Sequence, residues 1–156
     1  MKKYLILFSL FIIGLSSCQK LDSTVVAGNQ ATVDDAKIQA YLTANKLSYT
    51  KDVSGIYYQI VTPGTDPKPT SNSSVKITYS YGYLNGVAIG SVVGIQAKLS
   101  GFNVAGLRIA VTKIGTGGRI MIIVPSGLAH GSTATDSIPG NSILVYTIDL
   151  IGIPAS

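Results

Sequence analysis

Ser126, His130 and Asp136 lie within eleven residues of one another, and these three residue types combine in nucleophilic hydrolysis. That chemistry needs a hydroxyl activated by an imidazole, which a carboxylate orients in turn. Geometry, not closeness in sequence, assembles such a set. No Gly-x-Ser-x-Gly turn surrounds Ser126, so nothing supplies the strained elbow that would expose its hydroxyl. The three residues read as a polar loop. Asp34 and Asp35, the one adjacent carboxylate pair, read as a helix start, where acids complement the dipole. Gly115, Gly117 and Gly118 follow a helical pattern and open a strand, the reverse of a phosphate loop at a helix N-terminus. One Cys and one His exclude a cysteine-rich zinc site and most His-based metal sites, so no metal and no cofactor are expected. The formal charge of +5 comes from scattered basic residues, which points away from nucleic acid as a partner. Binding, or a catalysis that needs no reactive functional group, suits such a chain.

The composition restricts the elements that could position any site. Charged residues make up 12% of the 156, where about 25% is ordinary. All seven acids are Asp, and Gly, Ser and Thr are abundant, so the chain is poor in helix formers and rich in strand and turn formers. With 46% hydrophobic residues it can fill a core, and its length suits one domain.

Lys2 and Lys3 precede an apolar run from Leu5 to Leu15, too short for a bilayer core that needs about 20 helical residues. Residues 1–17 therefore read as a secretory signal peptide. Leu15-Ser16-Ser17-Cys18 resembles the lipobox of bacterial lipoproteins. That resemblance implies a lipidated Cys18, with a membrane as partner through the anchor and an exported, periplasm-facing position. Several acyl chains give lasting attachment where one does not.

Residues 18–31 read as a polar tether and 32–50 as a helical extension. Thr32 and Asp35 stand as a variant capping box before Ala36, Ile38, Tyr41 and Leu42, predicting a helix from about Val33 to Asn45. Residues 51–156 form the main domain. Strands are expected at Ile56–Val61, Val75–Leu84, Arg119–Val124 and Ser142–Ile151, with a hairpin signal at Asn85-Gly86. One internal helix is expected from Ala105 to Ile114. The class is α+β: an antiparallel sheet with one short helix covering a face.

Three motifs then stand in order: Ala105-Gly106-Leu107 to Gly117-Gly118-Arg119, Ile123-Val124-Pro125-Ser126-x-Leu128-Ala129-His130-Gly131, and Ile138-Pro139-x-Asn141-Ser142-x-Leu144-Val145-Tyr146. With Val75-x-Ile77-x-Tyr79 and Leu84-Asn85-Gly86, they resemble the FKBP-type peptidyl-prolyl cis-trans isomerases from Ser54 to Ile153. The resemblance implies a half-barrel sheet wrapped on the short helix. It also implies proline-containing polypeptides as substrates and a role in folding exported proteins. An X–Pro bond isomerises over about 18–20 kcal/mol through a twisted amide, with no nucleophile. An apolar pocket that favours the twisted form suffices.

By the same resemblance, Tyr79 matches the pocket Tyr, and Val104 the Ile whose backbone N–H donates to the substrate carbonyl. His130 replaces a Tyr. Ile89 stands for a Phe and Gly90 for the Asp beside it, Leu107 replaces the Trp floor, and Ala97 falls at a further aromatic position. Ile138 and Tyr146 match wall residues. The implied catalytic set is Tyr79, Val104 and His130, and the substrate-binding set is Ile89, Leu107, Ile138 and Tyr146. Such a pocket is expected to be wider and less aromatic than the family's, with a looser Tyr79 for want of the carboxylate.

Overall fold

A computed structural model describes residues 23–154. The residues expected to form a signal peptide and a lipobox, Cys18 included, lie outside the described residues. The elements in order are α1 (Ser23–Ala44), β1 (Thr50–Lys51), β2 (Tyr57–Thr62), β3 (Ser74–Tyr83), β4 (Ala88–Lys98), α2 (Ala105–Val111), β5 (Arg119–Val124) and β6 (Leu144–Gly152). Short 3-10 turns at Leu99–Gly101 and Ser126–Leu128 complete the list. The strands form one antiparallel sheet in the order β1-β2-β5-β6-β3-β4. This is the α+β arrangement expected from the composition.

Period-two alternation explains how the sheet serves two helices. Ile120, Ile122 and Val124 of β5, with Leu144, Tyr146, Ile148 and Leu150 of β6, join Leu107, Ala110 and Val111 of α2 in the main core. Their neighbours Ile123 and Val145 face the other way, and with Tyr57 they pack against Ile38 and Leu42 of α1. Burial on both faces accounts for the nearly continuous apolar run of β5.

Two expectations about the extension are corrected. The helix begins at Ser23, not near Val33, so it runs through residues read as tether. No capping box closes at Thr32, because its hydroxyl donates to the Gly28 carbonyl one turn earlier. Asp34 and Asp35 consequently sit in the helix interior. Asp34, Ile38 and Leu42 are its buried positions among the described residues, spaced by four and therefore stacked on one face. A second anchor comes from Asp35, which accepts from the Tyr57 hydroxyl at 2.6 Å and pairs with Lys51 at 2.5 Å.

The Asn85-Gly86 hairpin joins β3 to β4. Only Gly86 takes a positive φ there, 86°, and Tyr83 N–H donates to the Val87 carbonyl. The connection is therefore a three-residue loop and not a two-residue type I′ turn, which needs two such residues.

Candidate active site

Tyr79 and Tyr81 alternate with outward residues along β3, and Tyr146 lies opposite Tyr81 on β6. The three rings therefore share the face that carries α2. Tyr81 and Tyr146 stack with centroids 5.5 Å apart and planes at 15°, and Tyr79 lies 6.1 and 6.0 Å from them, tilted. They line a cleft of about 540 Å³. Phe102, Val104 and Leu107 close it at the start of α2, and His130 and Ile138 close it from the segment between β5 and β6.

Each wall is held locally. Arg108 reaches back from α2 to donate to the Phe102 carbonyl at 2.5 Å. Thr135 and Ile138 bond each other twice, backbone N–H to carbonyl at 2.8 Å and Ile138 N–H to the Thr135 hydroxyl at 3.1 Å. This tight turn presents a buried Ile138. The Tyr83 hydroxyl donates to the Ser137 carbonyl at 2.7 Å, tying that turn to β3.

The chemistry available is polar but weakly charged. Among the described residues, Asp136 is the one acid or base besides His130 in the cleft lining. The hydroxyls of Tyr79, Tyr81 and Tyr146 and the His130 imidazole bond no protein group among the described residues. Burial, and next the Tyr81 phenol, pushes Tyr79 above the usual tyrosine value. Burial, then Tyr79 and Tyr81, does the same more strongly to Tyr146. Both phenols therefore remain protonated donors at any physiological pH. Val104 caps α2 with φ −83° and ψ 111°. Its carbonyl accepts from Arg108 N–H, while its own N–H has no protein acceptor among the described residues. A cleft that mixes apolar walls with convergent polar groups left unbonded among the described residues is a form that small-ligand and peptide sites take.

Of the residues expected from sequence, Tyr79, Val104, His130, Leu107, Ile138 and Tyr146 come together in this cleft. Ile89 is the exception. The pairs Gly82–Ala88 and Tyr81–Gly90 skip it, so it is the extra residue of a β-bulge. It packs on the rim of the main core, since a bulge re-aims its side chain. The next irregularity, between the pairs Ile77–Ile95 and Tyr79–Val92, leaves Ile95 in the cleft lining, where Ala97 had been considered.

Tyr81 was missed, and it changes the expected shape. Gly90 lies opposite it, and a Cβ on Gly90 would meet the Tyr81 hydroxyl oxygen at 3.3 Å and its ring at 3.4 Å. The room beside Gly90, where a wider pocket was expected, is taken up by a second tyrosine. With Phe102 also in the wall, the cleft is more aromatic than expected.

The Ser-His-Asp set does not assemble. Ser126 is buried, and its hydroxyl donates to Asp34 at 2.6 Å, whereas His130 and Asp136 line the cleft without it. A larger cavity of about 760 Å³ lies between α1 and the 125–132 loop. Its charged walls, Asp35 and Lys51, already satisfy each other, so it offers less to a ligand than the cleft does.

Residues 65–151 match a family profile described as FKBP-type peptidyl-prolyl cis-trans isomerase. The isomerase FkpA of Aeromonas hydrophila is 29% identical over 133 residues, spanning 81% of this chain and 49% of that protein. FkpA of Buchnera aphidicola subsp. Schizaphis graminum is 31% identical over 127 residues, spanning 74% and 49%. The chain thus spans about half the length of the curated relatives it matches. Among solved structures, FkpA from Escherichia coli superposes with a TM-score of 0.70 at 24% identity, covering 85% of this chain and 65% of that one. A prolyl isomerase from Pseudomonas syringae gives 0.67 at 24%, covering 83% and 96%. The two structures show the shared fold. With a profile match over more than half its residues, the chain belongs to the FKBP-type peptidyl-prolyl cis-trans isomerase family.

Proposed function

We propose that this chain is a peptidyl-prolyl cis-trans isomerase acting on proline-containing segments of exported polypeptides. The observation that carries the reading is the Val104 N–H, which belongs to a largely buried residue at the cleft wall and has no protein acceptor among the described residues. A substrate carbonyl would give this donor a partner, worth about 0.5–1.5 kcal/mol net. Leu107, Ile138 and the stacked tyrosines form an apolar seat for the pyrrolidine ring. In that surrounding the planar, polar amide loses solvation and the twisted amide loses less, so the barrier falls. The protonated hydroxyls of Tyr79 and Tyr146 and the His130 imidazole are the remaining donors that meet the distorted carbonyl. No metal, cofactor or covalent intermediate enters the reaction.

Export and anchoring complete the proposal. Residues 1–17 act as a signal peptide, and Cys18 carries the lipid that holds the domain at a membrane, facing the periplasm. Mass spectrometry of the membrane-extracted protein is expected to find an acylated N-terminal Cys18; an unmodified one would remove this part. One observation favours a second reading, a peptide-binding chaperone module without turnover. By the resemblance, Gly90 stands where the family has an Asp and Leu107 where it has a Trp, and the Tyr81 ring packs on Gly90. Proline-peptide titrations followed by NMR, run beside an isomerisation assay, separate the two readings. Shifts at Leu107 and His130 with faster exchange support the enzyme, and the same shifts without faster exchange support the module.

A further inference from the structure

Asp34 is a fully buried carboxylate in the interior of α1, far in sequence from the cleft. An uncompensated buried charge is costly, so its partners explain why it is there. One of its oxygens accepts from the Gln30 side-chain amide at 2.7 Å. The other accepts both the backbone N–H of Ser126 at 2.8 Å and the Ser126 hydroxyl at 2.6 Å. Ser126 opens the 3-10 turn after β5, where the unpaired N–H of a turn start calls for an acceptor. Its carbonyl in turn accepts from the N–H of Ala129 at 3.0 Å and of Gly131 at 2.8 Å. These are the residues on either side of His130. The Gly131 carbonyl then accepts from Asn141 N–H at 2.7 Å, closing the loop onto the chain that leads into β6.

We infer that Asp34 is a positioning residue: through Ser126 it fixes the loop that sets His130 at the cleft, so the N-terminal helix takes part in substrate binding. The helix has its own docking contacts, the Ile38 and Leu42 stripe and the Asp35–Tyr57–Lys51 anchor. Asp34 is therefore not needed merely to hold it down. Removing the carboxylate frees two donors at Ser126 and loosens both flanks of His130. The inference rests on the cleft being the proline site, and the test below keeps the two claims apart.

The experiment compares full-length wild type with Asp34→Ala, Asp34→Asn and, as a docking control, Asp35→Asn. Three quantities are read: amide hydrogen exchange at Ala129 and Gly131, NMR shifts of His130 on titrating an X–Pro peptide, and the KM and kcat of isomerisation. Asp34→Ala is expected to speed exchange at Ala129 and Gly131 at least tenfold, the loss of about one charge-assisted hydrogen bond. Peptide affinity should weaken by a similar factor, seen in KM more than in kcat. Asp34→Asn, which keeps an acceptor oxygen, should recover part of both and remains folded if the Ala variant does not. Asp35→Asn should leave loop exchange and affinity at wild-type values. Wild-type loop exchange and affinity in a folded Asp34 variant, or equal effects from Asp35→Asn, would overturn the inference. If wild type binds the peptide without turnover, the isomerase reading fails, while loop exchange and peptide affinity still decide the role of Asp34.

Discussion

Tyr81 and Gly90 behave as a pair. The glycine lacks the Cβ that would press on the Tyr81 hydroxyl and ring at 3.3–3.4 Å, and the ring gains a stacking partner in Tyr146. Gly90→Asp is expected to destabilise the protein by about 1–3 kcal/mol, the usual cost of forcing atoms into a filled site. Adding Tyr81→Ala should recover most of that loss, and urea unfolding of the two single variants and the double variant measures the coupling. This pairing is legible in the sequence. Counting outwards from Asn85-Gly86 sets 81 against 90 and 79 against 92, as observed. Ile89 could not be placed that way, because a bulge is set by backbone conformation and leaves no mark in apolar periodicity. Leu107 is the second residue to test. It is 2% exposed between α2 and the sheet, so Leu107→Ala should cost about 2–5 kcal/mol and also weaken proline-peptide binding. Titration of the folded variant reads the second effect.

Elements meet through a few tertiary contacts that composition could not reveal. Asp52, in the turn between β1 and β2, pairs with Lys113 just after α2 at 2.5 Å, and the ammonium also lies 4.7 Å over the Tyr58 ring. The Lys113 hydrogen bond, then those from the Ser54 side chain and N–H, hold the Asp52 carboxyl down at about 2. An unfolded Asp titrates near 3.9, so the folded state favours the ionised form. Stability from this contact is present above about pH 4 and is lost as the pH falls towards 2. Unfolding midpoints of wild type and Asp52→Asn should differ at pH 6 and converge by about pH 2; a constant gap would contradict the assignment. The expected strands and the internal helix were legible to within a few residues because periodicity and turn residues mark them. The start of α1 was not, because Thr32 and the two acids imitate a helix start. Asp34 instead answers to Ser126, 92 residues away, and nothing local announces such a contact.

At the scale of the whole molecule, the sheet carries a helix on each face, and the candidate site forms where α2 and the β5–β6 segment meet the tyrosines of β3 and β6. The low charge seen in the sequence finds its place here, since the cleft lining carries one carboxyl group, Asp136, beside three phenols. The fold could be read from the order of motifs, whereas the filling of the cleft depended on register. The most direct measurement is the rate of cis-trans exchange of an X–Pro peptide with full-length protein, wild type and Val104→Pro. Val104 has a φ of −83°, close to the range proline adopts, and its N–H serves no protein acceptor among the described residues, so the substitution removes the proposed substrate donor without breaking a backbone hydrogen bond. Exchange should quicken in proportion to wild-type concentration and fall by roughly tenfold in the variant, the worth of one such hydrogen bond. No acceleration by wild type at any concentration, or an equally active Val104→Pro, would contradict the account.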